Sequence, residues 1–135
     1  MLEPERLQRA QARLDAMAPQ ALADMQEAID RILLETEVKG SLEVIFKAAH
    51  DVRGLAGSFG LSGLGAIAGE IRTYGLGVNP GFEPDWRLLA SLARILGRAL
   101  SRPDELPEEV IVAECRKAVS EAMKREGRLA ALNDA

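Results

Sequence analysis

Leu42–Gly60, LEVIFKAAHDVRGLAGSFG, is the stretch from which the architecture can be read. Drawn at about 100° per residue, Leu42, Ile45, Phe46, Ala49, Val52, Ala56 and Phe59 fall within one broad arc. That pattern predicts a single amphipathic helix from about Leu42 to Phe59 with this arc as its core face. Ser41 is a plausible N-cap and Gly60 a terminator. No alternation of apolar and polar residues suggests a strand.

Working outward, the same periodicity recurs. Glu3 to Met17 is expected to be helical, with Leu7, Ala10, Leu14 and Met17 on one side. Pro19 should break that helix and open the next, from about Pro19 to Glu35, whose stripe is Leu22, Met25, Ile29, Ile32 and Leu33. Ser62 is expected to cap a helix reaching about Tyr74 and carrying Leu64, Ile67, Ala68 and Ile71. Gly75 to Pro84 holds Gly75, Gly77, Asn79, Pro80, Gly81 and Pro84 and is the clearest loop. Trp86, Leu89, Ala93, Leu96 and Leu100 mark a helix from about Pro84 to Leu100. After a loop from Arg102 to Pro107, a last helix to about Arg125 should turn Val110, Ile111, Cys115, Ala118 and Ala122 inward.

These stripes are buried most simply in an antiparallel bundle. The expected fold is all-α: a four-helix bundle over 19–125, an additional N-terminal helix over 1–18 and a frayed tail over 126–135, all in one domain over 1–135. A chain of 135 residues with 47% hydrophobic and 28% charged residues can bury a core without staples. The net charge of −4 provides no basic field for nucleic acid, so none is expected as a partner. No apolar run reaches the ~20 residues of a membrane span, and no signal-peptide stretch opens the chain. The lone Cys115 cannot pair internally, which fits a cytoplasmic location. One histidine and one cysteine make a poor metal-ligand set, and no metal site is expected.

His50, the only histidine, lies just off the edge of the core arc. Its neighbours one turn away are Phe46, Lys47, Arg53 and Gly54; Glu43 and Gly57 lie two turns away. It should stand partly exposed, with one packed flank and one cleared flank. Gly54 and Gly57 sit inside a helix, where each costs ~1 kcal/mol relative to alanine. On the exposed side they remove bulk and admit another backbone. Lys47 and Arg53 would offset negative charge on the ring. Near neutral pH an imidazole is substantially uncharged and nucleophilic. Taken alone, a lone histidine at a stripe edge is more often a boundary residue, and the glycines can equally serve helix packing.

Ala48-Ala49-His50-Asp51-Val52-Arg53-Gly54, continuing to Ser58-Phe59-Gly60 and Leu64, resembles the signature of histidine-containing phosphotransfer domains. That family places a lysine or arginine three residues after the histidine, then a glycine, a helix-closing glycine, and a leucine in the next helix. His50, Arg53, Gly54, Gly60 and Leu64 match. Arginine stands where the family more often has lysine, which keeps the charge and alters its shape. The glycines Gly63, Gly65 and Gly69, and the long loop that follows, are unusual.

The resemblance implies a two-component phosphorelay carrier. His50 would be the phosphoacceptor, Arg53 and Lys47 would stabilise charge, and Phe46, Gly54, Gly57, Leu61 and Leu64, with Leu55, would contribute to docking. It implies a receiver domain of a response regulator, or a histidine kinase, as partner. It implies no cofactor in this chain, with Mg on the receiver, and a carrier in place of an enzyme. A monomer is expected. The competing reading is a helical adaptor that binds a kinase or regulator and carries no phosphoryl group.

Overall fold

The computed structural model describes residues 4–101 and 108–128. Among these are five α-helices and no strand. They are α1 (Pro4–Glu37), α2 (Leu42–Ser58), α3 (Ser62–Tyr74), α4 (Trp86–Ser101) and α5 (Glu108–Arg125). Glu3, the Arg102–Pro107 loop and residues 129–135 lie outside the described residues, as do the side chains of Leu7, Ala10, Leu14 and Met17.

α2 follows from its caps. The Ser41 hydroxyl accepts from the Val44 amide at 3.2 Å, satisfying one of the free donors of the first turn. The chain leaves the helix through Phe59 and turns at Gly60, whose φ of +72° suits glycine. Short connections, Val38–Ser41 before α2 and Phe59–Leu61 after it, let sequential helices pack side by side.

Pro19 does not break the helix: α1 runs through it for 34 residues, about 51 Å. A proline removes one N–H from the helix ladder. Pro19 is exposed, so its ring meets solvent and the local cost is tolerated. There is thus no separate N-terminal helix ending at residue 18.

The C-terminal half of α1, with α2, α3 and α4, forms a ring, and α5 packs mainly against α3. The helix additional to the four is therefore C-terminal. Sequence composition explains this placement. α3 is built of small and apolar residues on several sides, and Gly63, Leu64, Ile67, Ala68, Glu70, Ile71 and Tyr74 are all buried. A helix apolar around most of its circumference needs cover on more than one side. α2 supplies one cover and α5 another.

The core joins Met25, Ile29 and Ile32 of α1, Ile45, Ala49 and Val52 of α2, Ile67 and Ile71 of α3, Leu89, Leu92 and Leu96 of α4, and Cys115, Val119 and Met123 of α5. Glu70, 9% exposed, is matched by Arg116 at 3.1 Å. Several stripe expectations fail at the ends of helices. Leu22 is 44% exposed and Val110 55% exposed, because each lies at the bundle end, where no neighbour covers it fully. Ser62 is the first residue of α3 and not its cap; its hydroxyl donates to Glu108 Oε1 at 2.9 Å. At α4 the side chain of Asp85 caps, accepting from the Leu88 amide at 3.0 Å.

Residues 126–128 are not frayed. Gly127 takes φ +73°, and the Arg128 amide returns to the Met123 carbonyl at 2.8 Å. The Arg128 guanidinium then lies over the rings of Tyr74 (4.7 Å) and Phe82 (4.8 Å).

Candidate functional site

His50 stands in the middle of α2, exposed, and neither of its ring nitrogens is engaged by a described residue. The core face of α2 lies somewhat to one side of the arc read from the sequence. Ala48 is buried, whereas Leu42, Phe46 and Phe59 are only half-buried. The buried centre of α2 is thus rotated by roughly 40° toward α1, which swings position 50 further outward. On one flank stands Phe46, half-buried and packed against the core. Phe46 is turned to the end of α3, where a β-carbon on Gly75 would lie 2.6 Å from the Phe46 ring.

The glycine flank is as open as its sequence pattern requires. A β-carbon built on Gly54 or on Gly57 meets no atom within 4 Å. Neither glycine is a helix-packing point.

Lys47 and Arg53 are both exposed, and neither pairs with a carboxylate among the described residues. On the helix they lie about 60° to either side of His50. Lys47 lines a groove toward α1. Arg53 leans the other way, across α3: a β-carbon on Gly69 would sit 3.8 Å from Arg53 Nε and 3.9 Å from its Cδ. Gly65, one turn earlier, faces Ala56 and the Arg53 carbonyl in the same contact. The unusual glycines of α3 thus give the stem of Arg53 a flat bed. Two cations straddle the imidazole, where they can offset charge placed on it.

The groove on the α1 side measures about 630 Å³. Its α2 wall holds Val44, Lys47, Ala48, His50, Asp51, Gly54 and Leu55, and its α1 wall holds Asp24, Glu27, Ala28 and Arg31. Sequence reasoning missed that second wall. The spacing of these α1 residues marks one helix face, but which face meets α2 depends on packing across the bundle.

Leu61 and Leu64 do not adjoin His50. They line a different groove, of about 570 Å³, with Leu22, Ile95, Val110 and Ile111. Leu64 is 6% exposed and belongs to the core, so the docking role expected for it does not fit its burial. Leu61, 37% exposed, has its amide bound to the Ala56 carbonyl at 2.8 Å and closes the α2–α3 turn.

Among the described residues no group of three or more His, Cys, Asp or Glu is placed to hold a metal ion. No described helix is long and apolar enough to cross a membrane. What the site offers is an exposed imidazole on a helix, cleared on one side, flanked by cations and bordered by a groove. Neither a curated protein nor a solved structure matches the chain significantly. A family model described as Hpt domain matches residues 4–122, nearly the whole described length, and the chain belongs to the Hpt domain family of two-component phosphotransfer modules.

Proposed function

We propose that His50 accepts a phosphoryl group from the aspartyl phosphate of a receiver domain, or from a histidine kinase, and passes it to another receiver. The observation that carries this reading is the open environment of His50: an exposed imidazole beside two glycines with nothing within 4 Å of their missing β-carbons. The Hpt family match supports it, because phosphotransfer through histidine is what such modules do.

In the transfer, a ring-nitrogen lone pair attacks phosphorus in line. A P–N bond forms as the P–O bond to the aspartyl carbonyl breaks, and the aspartate leaves as carboxylate. The imidazole returns to neutrality by giving up its other ring proton to water. Reversal passes the group to the next aspartate. Arg53 and Lys47 lower the cost of the charge spread over the equatorial oxygens. Gly54 and Gly57 leave room for the partner backbone. Leu55, at the groove wall, supplies apolar contact. The chain acts as a carrier and as a monomer, holds no cofactor, and meets the divalent ion of this chemistry on the receiver.

The test is direct. The chain is mixed with receiver domains carrying labelled phosphate, and the label is assayed for acid lability and base stability. Label on the native chain and none on His50→Gln, with both equally helical by circular dichroism, is expected. A native chain that takes no label, or an equally labelled His50→Gln, overturns the reading and favours a docking adaptor.

A further inference from the structure

The groove beside His50 has a charge pattern that the transfer chemistry does not use. On α1, Asp24 accepts from the neutral amide of Gln20 at 2.8 Å and forms no ion pair among the described residues. Glu27 is paired to Arg31, loosely at 3.7 Å and with both side chains well exposed. On α2, Asp51 lines the same groove and is exposed. The cations of the groove are Arg31, on the α1 wall with Asp24 and Glu27, and Lys47, on the α2 wall with Asp51. Asp24, Glu27 and Asp51 thus outnumber the cations. Across His50, toward α3, the exposed charge is the Arg53 guanidinium.

The groove therefore carries an excess of carboxylate, least offset at Asp24 on α1, while Lys47 and Arg53 stand on either side of His50 itself. A phosphoryl group on His50 is held by the two cations and repelled by the excess carboxylate. Carboxylates so close to a site for an anion are unfavourable unless a partner covers them. The groove floor, with Ala28, Val44, Ala48 and Leu55, is apolar and small, so a partner element can approach closely.

We infer that the α1 wall, Asp24 and Glu27 foremost, selects the receiver domain: the partner that docks on His50 presents lysine or arginine side chains over α1. The inference rests on His50 being the phosphoacceptor. Charge complementarity of this kind raises encounter rates and excludes mispaired partners, and it is weakened by salt.

The experiment measures phosphotransfer from a panel of phosphorylated receiver domains of the same cell to the native chain, to Asp24→Lys/Glu27→Lys and to Asp24→Asn. Arg87→Glu, an exposed charge change on α4, serves as control. The reversed variant is expected to lose about tenfold in kcat/KM through KM, with kcat within about twofold, and to lose most of the salt dependence of the native chain. Asp24→Asn should fall between, and Arg87→Glu should match the native chain. Titration with the unphosphorylated receiver should show the same loss of affinity. Unchanged KM and salt dependence in the reversed variant overturn the selection by α1, as does an equal loss in Arg87→Glu. A native chain that no receiver labels overturns the phosphoacceptor reading itself, a separate outcome. A reversed variant that is unfolded by circular dichroism passes the decision to Asp24→Asn, whose KM must then rise.

Discussion

Arg53 rests on Gly69: a β-carbon there would come within 3.8 Å of Nε and 3.9 Å of Cδ. These are ordinary contact distances, so one methyl fits but a longer side chain would push the guanidinium off α3. Gly69→Ala should be neutral or raise stability by up to ~1 kcal/mol, since alanine is the better helix former. Gly69→Leu should slow phosphotransfer about as much as Arg53→Ala does. The check is a double-mutant cycle on transfer rate, where Gly69→Leu should add nothing once Arg53 is alanine.

Gly54 separates stability from function. With no atom within 4 Å of its absent β-carbon, Gly54→Ala should stabilise by ~0.5–1 kcal/mol, read as a higher urea midpoint. Gly54→Trp should keep its helicity and lose at least tenfold in transfer to a receiver, because the indole fills the approach to His50. A Trp variant that unfolds would show that Gly54 packs against something after all.

How much of this was legible beforehand varies with the range of the forces involved. α2 was readable to within a residue because its caps are local: Ser41 and Gly60 act on their own turns. The exposure of His50 followed from the same helix, though Ala48 shows that the core face was placed about 40° off. Pro19 misled because its local cost is real, yet an exposed helix face tolerates the lost N–H. Nothing local says that α5 covers α3 or that Asp24 and Glu27 border the site. Those depend on which faces meet across the bundle.

The segment just past the family-matched residues fastens the long α3–α4 connection. The buried hydroxyl of Tyr74 accepts from the Asp85 amide and donates to Glu126 Oε2, both at 2.7 Å. Arg128 pairs with Glu126 and reaches the Leu76 carbonyl at 3.1 Å. Tyr74→Phe leaves the Asp85 N–H and Glu126 short of a partner and should cost ~1–3 kcal/mol in chemical denaturation. A chain ending at Arg125 should lose a similar amount and show faster hydrogen exchange across Leu76–Pro84, while α2 exchanges as before.

Cys115 provides a test by pH. It is 1% exposed, and burial, with Glu70 and Glu114 adding to it, pushes the thiol from its ordinary 9.0 up to about 11. The unfolded chain therefore releases this proton first as pH rises. Between pH 9.0 and about 11 the unfolded state binds fewer protons than the folded one, so stability falls with rising pH across that window and is unaffected by this group below it. Tyr74, raised in the same direction by its own burial, adds to the decline at the alkaline end. Denaturation midpoints taken from pH 8 to 11 should therefore drop for the native chain and drop less steeply for Cys115→Ala. At neutral pH a disulfide reagent should modify native Cys115 only as fast as the bundle opens, and at once in urea. Rapid labelling of the folded chain would mean that α5 does not seal against α3.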